Sequence, residues 1–243
     1  MKLVAAICGF ESEQFLGQTL KNLAESDIDA VHYMDGSWKN SGMHNDFSTD
    51  KTMEILAHFK GNHSIQVFYD AAYNPTHGSW FNESQKRNTQ LKLIEKLFGK
   101  DTWVLVIDDD EILEPLGGIP LIFKPFLEDQ LYPLGTIRTI SPPPGPQLAD
   151  CQVMFTPRLI KLGEGIHYHT ETNMHLHREY CITICDYHNE HNGIRHKTIF
   201  DTPNVQVKNL WMLRNKERLL KKKIYYDHME NPDRIIGSCK YHE

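Results

Sequence analysis

The 243-residue chain carries 26 Lys+Arg against 32 Asp+Glu, a formal charge of −6 with His neutral, and is 40% apolar and 24% charged. Such a chain has room for a full core, and aromatic and branched apolar residues along its whole length exclude a disordered tail. No run approaches the roughly 18 apolar residues of a membrane-spanning helix, which excludes a transmembrane protein.

The first apolar run, Leu3 to Cys8, is too short for a signal peptide and is followed at once by Glu11 and Glu13. It reads as a strand buried on both faces. Ser12 is placed to cap a helix whose face is Phe15, Leu16, Thr19, Leu20, Leu23 and Ala24. Ala30 to Met34 reads as a second strand ending in Asp35-Gly36-Ser37, and residues 38–47 as a loop. Ser48 is placed to cap a second helix with Met53, Leu56 and Phe59 inward, and Ser64 to Tyr69 reads as a third strand. A helix from about Ser84 to Phe98, stopped by Gly99, leads into the most apolar strand, Trp103 to Ile107. That strand ends in Asp108-Asp109-Asp110-Glu111.

Alternating strands and helices imply βαβ units, a mostly parallel Rossmann-like sheet flanked by helices, and strand ends gathered on one edge. Ligands of open α/β sheets bind outside that edge. Here it carries Phe10-Glu11, Asp35-Gly36-Ser37 and the acidic run. The second half reads as mixed. Thr136 to Ile140, Cys151 to Lys161 and Tyr180 to Cys185 are strand candidates, and the proline-rich segment 141–146 cannot join a sheet. A long helix is expected over 205–229, closed by Asn231-Pro232. With no clean linker, residues 1–140 and 141–243 are expected to be two halves of one domain.

The five cysteines lack zinc-ribbon or disulfide spacing and read as reduced thiols of a cytoplasmic protein. Seven of the 14 histidines fall between His167 and His196. They leave open a metal or proton-transfer role, or unrelated surface positions. The four consecutive carboxylates repel one another at a strand end unless a cation joins them. In an extended chain Asp108 and Asp110 point to one side. Two such carboxylates suit Mg²⁺ or Mn²⁺, with open positions for phosphate oxygens. The alternative is a solvated acidic turn.

Residues 82–88, Asn-Glu-Ser-Gln-Lys-Arg-Asn, then a helix, then Trp103-Val104-Leu105 running into Asp108-Asp109-Asp110-Glu111, resemble the pattern of family 2-like glycosyltransferases. In that family an Arg-Asn pair opens a helix that leads to a strand ending in Asp-x-Asp-Glu. Phe15 to Leu20 resembles the family's first helix. Asp35-Gly36-Ser37 with Ser48 to Thr52 resembles its Asp-x-Gly-Ser-x-Asp-Gly-Thr turn, split by about ten residues, a tolerable loop insertion. Pro157 to Lys161 resembles its Arg-Leu-Phe-Arg strand, and Arg214-Asn215 with Leu219-Leu220 its C-terminal helix. Two positions depart: Glu11-Ser12 stands where relatives carry Asn-Glu, and Lys86 where a small residue is usual.

The resemblance implies a single domain of the glycosyltransferase A-type fold, a nucleotide-sugar donor, a saccharide or other hydroxyl acceptor, and Mn²⁺ or Mg²⁺. Carried over by position, Phe10, Glu11, Asp35, Arg87, Asp108 and Asp109 would face the donor. Asp35 would meet base or ribose, and Asp108 and Asp110 the metal. Inverting transfer needs a base for the acceptor hydroxyl, and the family's Gly-x-x-x-x-x-His-Glu stretch matches Gly165 to Glu171, so Glu171 is the candidate. A His before a Gly can complete the metal site. His191 fits best and His188 next, and such a ligand favours Mn²⁺ and loses activity at mildly acidic pH. The basic stretch Lys208 to Lys223 reads as a solvated helix face. Peripheral contact with an anionic membrane surface stays open, and no nucleic-acid motif accompanies the charge. Two further functions stay open: a metal-dependent hydrolase built from the acidic run and the histidines, and a non-catalytic nucleotide- or glycan-binding relative.

Overall fold

The computed structural model describes residues 1–37, 46–62, 65–70, 83–117, 120–131, 133–141, 152–168, 182–183 and 199–210. The first half follows the expected order: β1 (Lys2–Cys8), α1 (Leu16–Ala24), β2 (Ala30–Met34), α2 (Thr52–Asn62), β3 (Gln66–Asp70), α3 (Glu83–Phe98) and β4 (Thr102–Val106). These four strands are parallel, in the order β3-β2-β1-β4. The chain moves outward from β1 to β3, then crosses back to β4. Right-handed crossovers therefore place α1 and α2 on one face and α3 on the other.

The core obeys this alternation. Leu3, Ala5 and Ile7 of β1 pack with Leu16, Leu20 and Leu23 of α1 and with Leu56 and Phe59 of α2. Val4 and Ala6 pack with Leu91 and Ile94 of α3. β1 and β4 read as continuous apolar runs because both faces are covered. Each fully buried Leu or Ile contributes about 1.5–3 kcal/mol. On the α3 face Gln90 staples two strands, its Nε2 donating to Ile7 O at 3.0 Å and His32 O at 2.8 Å. His32 is fully buried 3.2 Å from Asp70 Oδ2; burial depresses its pKa, against the pull of that carboxylate.

The second half comprises β5 (Glu111–Pro115), α4 (Lys124–Glu128), β6 (Leu134–Ser141), β7 (Gln152–Lys161), β8 (His167–Tyr168), β9 (Ile182–Thr183) and β10 (Ile199–Asn209). It corrects the expected sheet. The eight-stranded order is β3-β2-β1-β4-β7-β6-β10-β5, with β7 antiparallel to both β4 and β6, and β10 antiparallel to β5. The sheet is mixed, and β8 pairs with β9 separately. The helix expected from residue 205 is also corrected: residues 205–209 are the end of β10, where Val205 and Val207 face the core and Gln206 and Lys208 face outward. Residues 211–229 lie outside the described part. So do most of the proline-rich segment, the histidines from His169 to His196, and Cys151, Cys181, Cys185 and Cys239. Cys8 is a buried thiol that donates to Gln90 Oε1 at 3.1 Å. Among the described residues no helix is long and apolar enough to cross a membrane.

β4 is fourth in the sheet and β5 eighth, yet only residues 107–110 join them. Four strand spacings of a flat sheet are about 19 Å. The joining residues form a turn in which Glu111 N–H donates to Asp108 O at 3.2 Å, and such a turn spans less than about 7 Å. The sheet must therefore curl so that β5 returns beneath α1. Leu113, Val205 and Val207 accordingly share the core with α1. Asn22 of α1 pairs with the Leu113 backbone in both directions, donating to its O at 3.0 Å and accepting from its N–H at 2.7 Å.

That reciprocal pair predicts that Asn22→Ala, which leaves a backbone donor and acceptor of β5 unpaired, lowers unfolding free energy by about 2 kcal/mol in urea titrations. A loss of under about 0.5 kcal/mol, the range of an ordinary surface substitution, would show that α1 does not hold the curl.

Candidate functional site

The strand order reverses between β1 and β4, and in open α/β sheets ligands bind in the crevice outside the C-terminal strand ends at such a point. Phe10 and Glu11 follow β1, Asp35 follows β2, and the acidic turn follows β4. The structure thus gathers the expected groups on one edge, with Arg87 contributed by α3.

Two expected caps have other partners. The Ser12 hydroxyl lies 2.8 Å from the Tyr33 hydroxyl instead of capping α1, which starts after Phe15 without a side-chain cap. Ser48 does not cap α2; Asp50 Oδ1 accepts the Thr52 N–H there, at 3.0 Å. Ser48 instead closes the interrupted turn. Its N–H donates to Asp35 Oδ2 at 2.9 Å and its hydroxyl to Asp35 Oδ1 at 2.6 Å. The same hydroxyl accepts the Glu11 N–H at 2.6 Å. Glu11 sits at a φ of 49°, a left-handed conformation uncommon outside glycine, so its backbone is held there by tertiary contacts. Asp35 and Ser48 therefore meet although they lie 13 residues apart in the chain.

Residues 108–111 form a turn, not the extended run whose alternation would set Asp108 and Asp110 on one side. The Thr19 hydroxyl donates to Asp109 O at 3.0 Å, and the Leu210 N–H donates to Asp110 O at 2.7 Å. Asp109 and Asp110 are buried, whereas the Asp108 side chain is 29% exposed and accepts from Arg87 Nη2 at 2.7 Å. Arg87 also lies against the Tyr168 ring, 5.9 Å from its centroid. Tyr168 is fixed by Asn88, which donates to its O and accepts its N–H, each at 2.7 Å. Burial, with the Asp109 and Asp35 carboxylates nearby, pushes the Tyr33 hydroxyl well above its ordinary pKa and keeps it neutral on the crevice floor.

Glu111 and Arg158 form a bidentate pair that sequence reasoning did not find. Arg158 Nη1 and Nη2 donate to Glu111 Oε2 and Oε1 at 2.6 and 2.7 Å, and Nη1 also to Val106 O at 3.3 Å. Glu111 Oε2 further accepts the Asp108 N–H at 2.9 Å, which sets the turn. Burial raises the Glu111 carboxyl to about 7 over the pull of Arg158, and Asp108 pushes it the same way. Burial also works against the charged guanidinium of Arg158, but Glu111 and Asp108 outweigh it and hold that pKa above the ordinary value.

Glu11, Asp35, Asp108, Asp109, Asp110 and Glu111 stand at this edge against Lys86, Arg87 and Arg158, an excess of three negative charges when all are ionised. That excess and the all-oxygen donor set fit a divalent Mg²⁺ or Mn²⁺ held by one or two carboxylates and completed by substrate phosphates. Among the described residues no three His, Cys, Asp or Glu side chains close on one point. The candidate base Glu171 and candidate ligands His188 and His191 lie outside the described residues. His167, which is described, is exposed, with Nδ1 3.0 Å from Gly165 O. A separate groove of about 640 Å³ between α1 and α2, lined by Gly17, Lys21, Lys51, Glu54, Ile55, His58 and Phe59, shares none of the crevice residues.

No family model and no curated protein matches this chain. Among solved structures, that of S. aureus TarS 1–349 in complex with UDP-GlcNAc is 18% identical at a TM-score of 0.41, over 62% of this chain and 37% of that one. The TarS 1–349 complex with UDP is 18% identical at a TM-score of 0.40, over 62% and 38%. The CTP:phosphocholine cytidylyltransferase LicC of Streptococcus pneumoniae is 12% identical at a TM-score of 0.28, over 66% and 68%. The chain spans less than two fifths of those two TarS chains. Likeness this loose defines no family, and the chemistry rests on the crevice itself.

Removing one partner of the buried pair predicts a pH-dependent defect. In Arg158→Met, Glu111 loses its guanidinium and its pKa rises further. An acid whose folded pKa exceeds its unfolded value of 4.5 weakens the fold as pH climbs between the two. The variant should therefore be destabilised by about 3–5 kcal/mol at pH 8 and clearly less at pH 5.5 in urea titrations. A deficit that does not change over that range would contradict a buried Glu111 charge.

Proposed function

We propose that this chain is a metal-dependent glycosyltransferase that moves a sugar from a nucleoside diphosphate sugar to a hydroxyl acceptor with inversion. The observation that carries the reading is the acidic turn 108–111 at the tip of β4, beside the strand-order reversal, with Arg87 fixed against Asp108 at 2.7 Å. An all-carboxylate turn next to a clamped guanidinium suits one ligand class well: an anionic phosphate chain that arrives with a hard cation.

Each residue then has a role. Asp108 and Asp110 would hold the Mg²⁺ or Mn²⁺, with His191 or His188 as a further ligand. Bound there, that ion supplies Lewis-acid neutralisation of the departing diphosphate. Arg87, held in place by Asp108 and Tyr168, sets a fixed positive charge beside the turn for phosphate oxygens and loses no rotamer freedom on binding. Asp35, with Phe10 and Glu11, lines the nucleoside end, and Asp109 supports the floor beside Tyr33. Glu171 would take the acceptor proton as the acceptor oxygen bonds to the anomeric carbon. The bond from that carbon to the diphosphate oxygen breaks on the opposite side.

Asp110→Asn should keep the wild-type melting temperature within a few degrees and lose donor turnover at least 100-fold, measured as nucleoside diphosphate release with Mn²⁺ present. Full turnover by this variant would refute the metal assignment. A thermal-shift screen tests the ligand class directly. A nucleoside diphosphate with Mn²⁺ at about 100 times its Kd should add roughly 2.7 kcal/mol of stability, and no shift with any of the common nucleotides would refute donor binding.

A further inference from the structure

Lys86 is fully buried, an unusual place for a lysine. Its Nζ donates to Gly9 O and to Gly36 O, both at 2.8 Å. These carbonyls belong to the turns at the tips of β1 and β2. The Gly9 turn leads into Phe10 and Glu11, and the Gly36 turn follows Asp35. One turn further along α3, Gln90 makes the same kind of bridge between β1 and β2, to Ile7 O and His32 O. Residues 86 and 90 stand on one helix face, as their i, i+4 spacing requires.

The two bridges differ in chemistry. Gln90 staples the strand interiors with a neutral amide. Lys86 staples the strand tips with an ammonium, and a buried ammonium is costly unless paired and hydrogen-bonded. A neutral side chain would fasten the turns at lower cost, as Gln90 does a turn away. A charge retained there fits an electronegative crevice lined by Asp35 and the acidic turn. Both anchored turns also resist displacement. A Cβ on Gly9 would collide with the Tyr33 hydroxyl and approach Ser12 Oγ to 2.6 Å, and Gly36 holds a φ of 121° that suits glycine.

We propose that Lys86 is a positioning residue that sets the distance between the Gly9 and Gly36 turns, and through it the fit of the donor's nucleoside between Phe10-Glu11 and Asp35. The inference rests on the donor-binding reading above and goes beyond it, because it assigns nucleoside selection to a residue that reaches the crevice from the opposite side of the sheet tips. Arg87, the next residue, meets the acidic turn instead. The two neighbours on α3 therefore divide the crevice, with Lys86 governing the nucleoside end and Arg87 the phosphate end.

The test is calorimetric titration of the full chain with uridine, cytidine, adenosine and guanosine diphosphates in Mn²⁺, for wild type, Lys86→Arg and Lys86→Met. Wild type should prefer one nucleoside by roughly tenfold or more, the equivalent of 1.4 kcal/mol. Lys86→Arg should keep that ranking. Lys86→Met should compress the four Kd values to within about threefold of one another while inorganic pyrophosphate binds as in wild type. A purely structural role would weaken all ligands alike and leave the ranking unchanged, which overturns the proposal and leaves donor binding standing. If Lys86→Met does not fold, Gly36→Ala displaces the same turn from its other side, and retention of the wild-type ranking there likewise overturns it. Wild type that binds none of the four diphosphates overturns both the donor reading and this one.

Discussion

The buried pair of Glu111 and Arg158 organises the site edge. Glu111 begins β5 and Arg158 belongs to β7, yet the pair reaches further. Arg158 bonds Val106 O at the end of β4, and Glu111 bonds the Asp108 N–H of the turn and Asn209 Nδ2 of β10, the last at 3.3 Å. One ion pair thus ties four strands at the point where the sheet curls. A pair of this kind adds little net stability over an apolar replacement, because desolvation offsets the attraction. Its use lies in geometry: it fixes the acidic turn in one conformation and holds a positive charge beneath it.

The crevice is laid out from that turn. α1 secures it from one side through Thr19, and α3 from the other through Arg87. The opposite wall is secured by Ser48, just ahead of α2, which closes the Asp35 turn, and by Lys86 of α3, which closes the strand tips. Preorganised charge of this kind suits the proposed diphosphate ligand, since the groups that would meet it are already in place before it binds. Part of the −6 net charge of the chain is thus local, a carboxylate surplus at an edge where a cation can neutralise it.

The parallel half was legible in the sequence because each strand is covered on both faces. Leu3 to Cys8 and Trp103 to Ile107 are continuous apolar runs, and Leu16, Thr19, Leu20 and Leu23 mark the buried side of α1 at helical spacing. The curled half was not. The end of β10 does alternate, with Val205 and Val207 inward, but the signal is four residues long and runs into a basic, Leu-rich stretch that reads as helix. β5 was hidden because its first residue, Glu111, reads as part of the acidic run. Glu111 and Arg158 are 47 residues apart, and no local pattern announces such a pair. Lys86 stood out only as an odd residue in a motif, because a lysine defaults to the surface until the fold places it. For the site, position along the sheet edge was legible, since it follows from strand order. Partners were not, since Asp35–Ser48 and Arg87–Asp108 depend on how loops close.

The proposed activity depends on where an activated phosphate chain lands. The most direct measurement is a crystal grown with Mn²⁺ and a nucleoside diphosphate, with data collected at the manganese absorption edge. The predicted result is one strong anomalous peak at the 108–111 turn, within about 2.2 Å of carboxylate oxygen and of the diphosphate, whose far oxygens meet Arg87. A nucleotide bound instead in the groove between α1 and α2, or manganese elsewhere with the acidic turn facing solvent, would contradict it.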